Sequence, residues 1–300
     1  MIIDDKILKL LLKEKQQTKS ILAKQLGISS RTIAKIGKGK SLSKSVVDKI
    51  AEFLQIDSNE IIKKNYVLLA LQKEKELQQP NGLYHETQIK LTYNSNHMEG
   101  SQLTEDQTRY IFETQTIGQL PPNINMDDII ETNNHFRCID YVIDNANEEL
   151  DEEYIKTLQN ILKSGTNFAK NFGKGEYKTI PNTVGGIETT KPKDVQKEIK
   201  KLLDWYASLK TVNFEDIVNF HYEFEVIHPF PDGNGRVGRL IAFKECLKNN
   251  IVPFYIDDKN KWLYCRGLQE WKNEKNYLIE TCKFGQDQFK QLLDYFEIEY

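Results

Sequence analysis

One run of twelve residues constrains the chain more than any other: His228-Pro229-Phe230-Pro231-Asp232-Gly233-Asn234-Gly235-Arg236-Val237-Gly238-Arg239. It gathers a titratable ring, a carboxylate, flexible glycines, an amide and two guanidiniums. Apolar residues recur at helical spacing before it, from Phe214 to Val226, and after it, from Val237 to Leu247. The run is therefore a sharp loop that delivers the chain to a helix N-terminus. Asp-Gly and Asn-Gly would otherwise signal a β-hairpin, but hairpin flanks alternate and these do not. A Walker-type phosphate loop is excluded, because GxxxxGK followed by Ser or Thr is missing from the sequence.

A helix N-terminus preceded by glycines is an anion site. Its first N–H groups lack intrahelical partners, and the helix dipole adds partial positive charge. Gly233 and Gly235 permit a tight turn and a close approach of phosphate. Arg236 and Arg239, three apart, share a helix face and can clamp different phosphates. Asp232 suits magnesium, which takes one or two protein oxygens. His228 can accept a proton from an attacking hydroxyl. These are the parts of a nucleotide-transfer site.

The run resembles the signature of the Fic family, HxFx(D/E)GNGRxxR, and matches its eight fixed positions. Phe224-Glu225-Val226-Ile227 also resembles what precedes that signature. Further upstream, Ser95, Glu99 and Gly100 match the family's inhibitory-helix pattern, (S/T)xxxE(G/N), in a segment around 92–100. The resemblance implies a protein adenylyltransferase that moves AMP from ATP to a Tyr, Thr or Ser hydroxyl. His228 would be the base and Asp232 the magnesium ligand, with manganese as an alternative ion. Gly233, Asn234, Gly235, Arg236 and Arg239 would hold the phosphates. Glu99 would pair with Arg239, take the place of the γ-phosphate and restrain the enzyme, self-modification included. The plain alternative makes Ser95 and Glu99 a cap and an i,i+4 surface pair. Transfer from another nucleotide, or the reverse, demodifying reaction, also fits the same residues.

Gly173 to Glu188 breaks the helical pattern with β-branched residues and ends near Gly185-Gly186. It reads as a short hairpin, and its position, around 177–190, resembles the Fic flap that holds a target by strand addition. Thr179, Ile180, Val184 and Ile187 are its expected docking residues. Family resemblance also puts the adenine side in the C-terminal third, with Tyr264 as its candidate; an aromatic there reads equally as core. His221 and Glu225 read as support for the loop, and His97 and His135 as structural.

Charge divides the chain. Residues 1–65 carry 14 Lys and Arg against 7 Asp and Glu, a net of +7, so the remainder carries −10 of the overall −3. In the basic part, Thr18 to Ile36 reads as helix, tight turn, helix, with Thr18 and Ser29 as N-caps and Gly27 at the turn. It resembles a helix-turn-helix of the phage-repressor type. Ser29, Ser30, Arg31, Thr32 and Lys35 would face the major groove, with Lys38, Lys40 and Lys44 near phosphates. A plain protein-binding bundle is the alternative. DNA binding would favour a homodimer, and the whole chain would then be a transcriptional regulator that uses its second domain for self-modification or nucleotide sensing.

The expected architecture is mainly α: a helix-turn-helix domain over 1–65, then a Fic helical bundle with one β-hairpin over 66–300. Residues 57–80 read as one polar helical stretch. Four scattered cysteines without a CxxC pair argue against zinc and a disulfide framework. With no long apolar run and no signal pattern, the expected setting is cytoplasmic and away from membranes.

Overall fold

The computed structural model describes residues 1–38, 40, 42–118, 124–184 and 187–300. It divides into two compact units, Met1–Asn65 and Tyr66–Tyr300.

The first unit is built from short capped helices: α1 (Asp5–Glu14), α2 (Lys19–Leu26), α3 (Ser30–Ile36), α4 (Lys44–Leu54) and α5 (Ser58–Ile61). Thr18 accepts from the Ile21 N–H and Ser29 from that of Thr32, so each helix of the central pair starts on a hydroxyl. Gly27, at φ 63°, stops α2 in the left-handed region. Leu8, Leu22, Ile33, Ile36, Val47, Ile50 and Ile61 close one small core. Residues 57–80 are not one helical stretch. The chain extends after α5, where Ile62 forms an antiparallel bridge with Ile3, and helix resumes only at Tyr66.

The second unit contains α6 (Tyr66–Glu76), α7 (Leu83–Met98), α8 (Glu105–Thr114), α9 (Met126–Asp144), α10 (Glu152–Lys163), α11 (Asn167–Phe172), α12 (Pro192–Ala207), α13 (Phe214–Ile227), α14 (Asn234–Lys248), α15 (Lys261–Glu270) and α16 (Asn276–Tyr295). Its centre is the α13–α14 pair, packed by Phe220, Phe224, Val237, Leu240 and Phe243 against Cys138, Ile139 and Val142 of α9 and Leu158 and Leu162 of α10. Each such side chain, fully buried, is worth about 1.5–3 kcal/mol. Nearly all of α14 is buried, and even its charges are paired inside: Lys244 holds Glu245, which also accepts from the Tyr206 hydroxyl at 2.8 Å. A loop hung between two such helices starts from fixed ends.

Two boundaries differ from the sequence pattern. Helix α14 begins at Asn234, inside the signature, because Gly233 caps it at φ 84°. The hairpin shrinks to β1 (Thr183–Val184) and β2 (Ile187–Glu188), in register Thr183 to Glu188 and Val184 to Ile187. The approach to β1 makes other bonds instead. Lys178 N–H donates to the Pro229 carbonyl at 2.8 Å, and Asn182 Nδ2 donates to that of Phe230 at 3.1 Å. Thr179 and Ile180 accordingly lie exposed in a loop, outside the strands. Among the described residues no helix is long and apolar enough to cross a membrane.

Candidate active site

Helix α13 ends on His228, which adopts φ 49° and ψ 62° while its N–H still donates to the Phe224 carbonyl at 2.9 Å. A non-glycine residue in this region costs about 1–2 kcal/mol. The surroundings over-determine it. Phe230 is fully buried beneath the loop, and the Asn234 amide brackets its backbone, accepting from Phe230 N at 2.8 Å and donating to Phe230 O at 2.8 Å. The Asn234 side chain is therefore a loop brace. Expected among the phosphate ligands, it offers its backbone N–H, in the first turn of α14, for that role.

His228 is 16% exposed at its side chain, and its Nδ1 lies 3.8 Å from Glu225 Oε2. Burial, reinforced by the Lys178 ammonium, pushes its pKa down to about 4. Burial raises the Glu225 carboxyl to about 8, with Arg239 opposing. At neutral pH a neutral imidazole thus stands beside a protonated acid, and the ring can accept a proton.

The two signature arginines are both already engaged. Arg239 Nε donates to Ser95 Oγ at 2.9 Å, and Nη2 donates to the Ser95 carbonyl at 3.0 Å and to Glu99 Oε1 at 2.7 Å. Glu99 ends α7 as its C-cap, and Gly100 follows at φ 98°. Although burial favours its neutral form, Arg239 and Arg236 hold the Glu99 carboxyl below its ordinary pKa. A methyl group on Gly235 would overlap Glu99 Oε1 and stand 2.9 Å from Arg239 Nη1, so glycine is what admits the pair here.

Arg236 points elsewhere. It is 4% exposed and bonds Glu131 Oε2 through Nη1, with Asn96 Oδ1 at 3.4 Å and Asp232 Oδ2 3.7 Å from Nη2. Both guanidiniums reach α7, through Asn96 and through Ser95 and Glu99, but their carboxylates differ: Arg236 turns to Glu131 of α9 and Arg239 to Glu99. Lys163, at the end of α10, bonds both Glu131 Oε1 and Asp232 Oδ2. Burial raises the pKa of Asp232, but Lys163 and Arg236 outweigh it and keep the net shift downward.

Glu131, Lys163, Asn96 and Lys178 were not singled out from the sequence. The signal for the first two is a charged residue on the apolar face of a helix. Lys178 is 3% exposed, and its Nζ donates to Asn182 Oδ1 at 2.7 Å and Thr189 Oγ1 at 2.6 Å, pinning the approach to β1 onto the loop. Tyr264, the adenine-side candidate, is a buried residue. It is 3% exposed, its hydroxyl lies 2.6 Å from His221 Nε2, and it belongs to the core beside α13.

Within the signature loop the carboxylate is that of Asp232, with a 43% exposed side chain. Among the described residues no cluster of three or more His, Cys, Asp or Glu could hold a metal. This donor set fits magnesium or manganese carried on phosphate oxygens, which need one or two protein carboxylates.

In the first unit Ser30, Arg31 and Lys35 are exposed along α3, as are Lys38, Lys40 and Lys44 around its end. Ser29 Oγ and Thr32 Oγ1 lie 2.8 Å apart and serve the cap.

Residues 149–245 match the Fic/DOC family model, and residues 7–65 match the Cro/C1-type HTH DNA-binding domain model. Curated relatives include a probable protein adenylyltransferase of Aquifex aeolicus, 26% identical over 61% of this chain and 59% of that protein. Protein adenylyltransferase fic-1 of Caenorhabditis elegans is 24% identical over 62% of this chain and 37% of its own length. The matched stretch thus spans less than two thirds of either relative. Among solved structures, a Fic domain containing signaling protein from Bacteroides thetaiotaomicron superposes with a TM-score of 0.62 at 22% identity, over 76% of this chain and 94% of the other. Fic-1 (aa134–508) from C. elegans gives 0.59 at 17%, over 89% and 77%. The fold of the second unit is that of these proteins.

Proposed function

From a chain that carries a Fic/DOC segment behind a Cro/C1-type helix-turn-helix, we propose a protein adenylyltransferase that moves AMP from ATP to a Tyr, Thr or Ser hydroxyl and is restrained by its own Glu99. The observation that supports this most is the Glu99–Arg239 pair seated on Gly235, in the first turn of α14. A carboxylate there excludes a terminal phosphate by charge and by volume, and leaves the triphosphate in a pose unsuited to in-line attack. The relatives' names support the reaction class.

In the reaction, His228 takes the proton of the acceptor hydroxyl. The hydroxyl oxygen forms a bond to the α-phosphorus, and the bond to the β-phosphate bridge breaks, releasing pyrophosphate. First-turn N–H groups of α14 hold the oxygens on which charge develops. Asp232 would hold magnesium, which supplies charge neutralisation on the α- and β-phosphates. Arg239, once released, binds the outer phosphate. The β1–β2 hairpin offers main-chain partners to a target segment.

Incubation with labelled ATP tests the assignment. His228→Ala should abolish label transfer to protein, self-modification included, and full transfer by that variant would refute it. Mass spectrometry of the labelled product separates adenylyl transfer from transfer of another group, and loss of a pre-installed AMP would reveal the reverse reaction.

We propose DNA binding as a second role, supported by the first unit's family match and its exposed Arg31 and Lys35; a cytoplasmic homodimer would be the form that binds. A gel shift against the chain's own upstream DNA, with and without ATP, tests it; no binding at low salt would count against it.

A further inference from the structure

Lys163 is the least exposed charged residue of the signature region, at 1%. Its ammonium bonds a carboxylate on each side, Glu131 from α9 and Asp232 from the loop, and lies 4.9 Å from the centre of the Phe168 ring. Two acceptors bonded to one donor lie within about 6 Å of each other. Two carboxylates that close repel each other, and a cation seated between them relieves the repulsion. Exposure grades outward, from 2% at the Lys163 side chain and 11% at Glu131 to 43% at Asp232. Arg236 closes the ring by bonding Glu131 and approaching Asp232. Two positive and two negative charges thus balance with no added ion.

We infer that the Lys163 ammonium is the resident cation of this site: it occupies the place between Glu131 and Asp232 where a divalent ion would settle, so the metal arrives only with the nucleotide. Lys163 is thereby a positioning residue. It fixes the Asp232 carboxylate at the loop mouth and keeps Glu131 from becoming a metal ligand. The inference rests on the nucleotide-transfer reading for what Asp232 does next, but not for the cation's place.

The test uses no nucleotide and reads no turnover, so its failure is distinct from failure of that reading. Mn2+ is titrated into the full chain and free ion is followed by electron paramagnetic resonance. The wild type should bind weakly. Lys163→Met leaves two carboxylates and room for an ion, a donor set that suits Mn2+ with water completing its shell. Its affinity should rise by about 10- to 1,000-fold, the one to three pK units that an adjacent cation is worth to a carboxylate. Lys163→Arg retains the positive charge and should behave as wild type. The double variant Lys163→Met/Glu131→Gln removes one carboxylate with the cation and should lose the gained site. If Lys163→Met is too unstable to titrate, Mn2+ should raise its melting temperature. Tight Mn2+ binding by the wild type that Asp232→Asn removes would overturn the inference. So would a Lys163→Met chain that gains neither affinity nor melting temperature, or a double variant that binds as tightly as the single one.

Discussion

Replacing Glu99 by glycine removes the acceptor that holds Arg239 Nη2 at 2.7 Å. The size of the effect follows from the burial of the two partners. An exposed ion pair is worth about 0–1 kcal/mol, and breaking a fully buried one costs about 3–5 kcal/mol. Here the Glu99 side chain is 34% exposed and that of Arg239 is 11% exposed, and Arg239 keeps both bonds to Ser95. An intermediate loss of about 1–2 kcal/mol is expected. If that is also the free energy by which Glu99 opposes the outer phosphate, the variant should transfer label about 5- to 30-fold faster. It should also melt lower, by about 2–4 °C for each kcal/mol lost in a unit of this size. Glu99→Gln keeps the shape without the charge and should fall between. Labelled-ATP transfer and thermal melts on the same preparations check both numbers. A Glu99→Gly chain that melts lower but transfers no faster would refute the reasoning, because the pair would then be structural only.

Gly235→Ala forces a methyl group into Glu99 Oε1 and against Arg239 Nη1; labelled-ATP assays should show the Glu99 restraint weakened, and a doubly substituted Glu99→Gly/Gly235→Ala chain should gain nothing more from the methyl. Asn234→Ala strands the Phe230 N–H, bonded at 2.8 Å, whereas the Phe230 carbonyl keeps the Asn182 amide; at about 1–3 kcal/mol for a buried group left unsatisfied, denaturant unfolding should lose about 1–3 kcal/mol. Burial, helped by nearby Arg and Lys charges, holds His135 and His221 at about 3 and His228 at about 4. Between those values and the ordinary 6.5 the unfolded chain binds more protons, so stability should fall as pH drops through that window. Glu225, raised by burial to about 8, works the other way, losing stability as pH rises from its ordinary 4.5. With three histidines against one carboxyl, denaturant unfolding should gain stability from about pH 5 to about 6.5, and equal stability at those two pH values would contradict these assignments. In the first unit, Lys44→Ala should weaken DNA binding across sequences and lower its salt slope by about one, measured by gel shift at several salt concentrations.

Much of the fold was legible because its determinants are local. Thr18, Ser29 and Thr104 each cap the helix that the apolar spacing outlines, through a hydroxyl and an N–H three residues on. The signature loop was legible for a similar reason: its chemistry is contiguous, and Gly233 and Asn234 act on neighbours within four residues. Sequence by itself thus determined the helical class, the helix-turn-helix and the glycine-capped turn that leads from His228 into α14. Tertiary packing decided what those groups face. Arg239 meets Glu99 across 140 residues, and only the resemblance hinted at it. Arg236 meets Glu131 across 105, and Lys163 meets Asp232 across 69, with no local signal at all. Spacing put the two arginines on one helix face, but a buried guanidinium turns to whichever carboxylate satisfies it, and those carboxylates arrive on other helices. The hairpin was overextended for the same reason, since Lys178 and Asn182 found better partners in the loop than across a strand. Local hydrogen bonds are set by residues three or four apart, whereas the charge state and orientation of this site depend on which helices the core brings together.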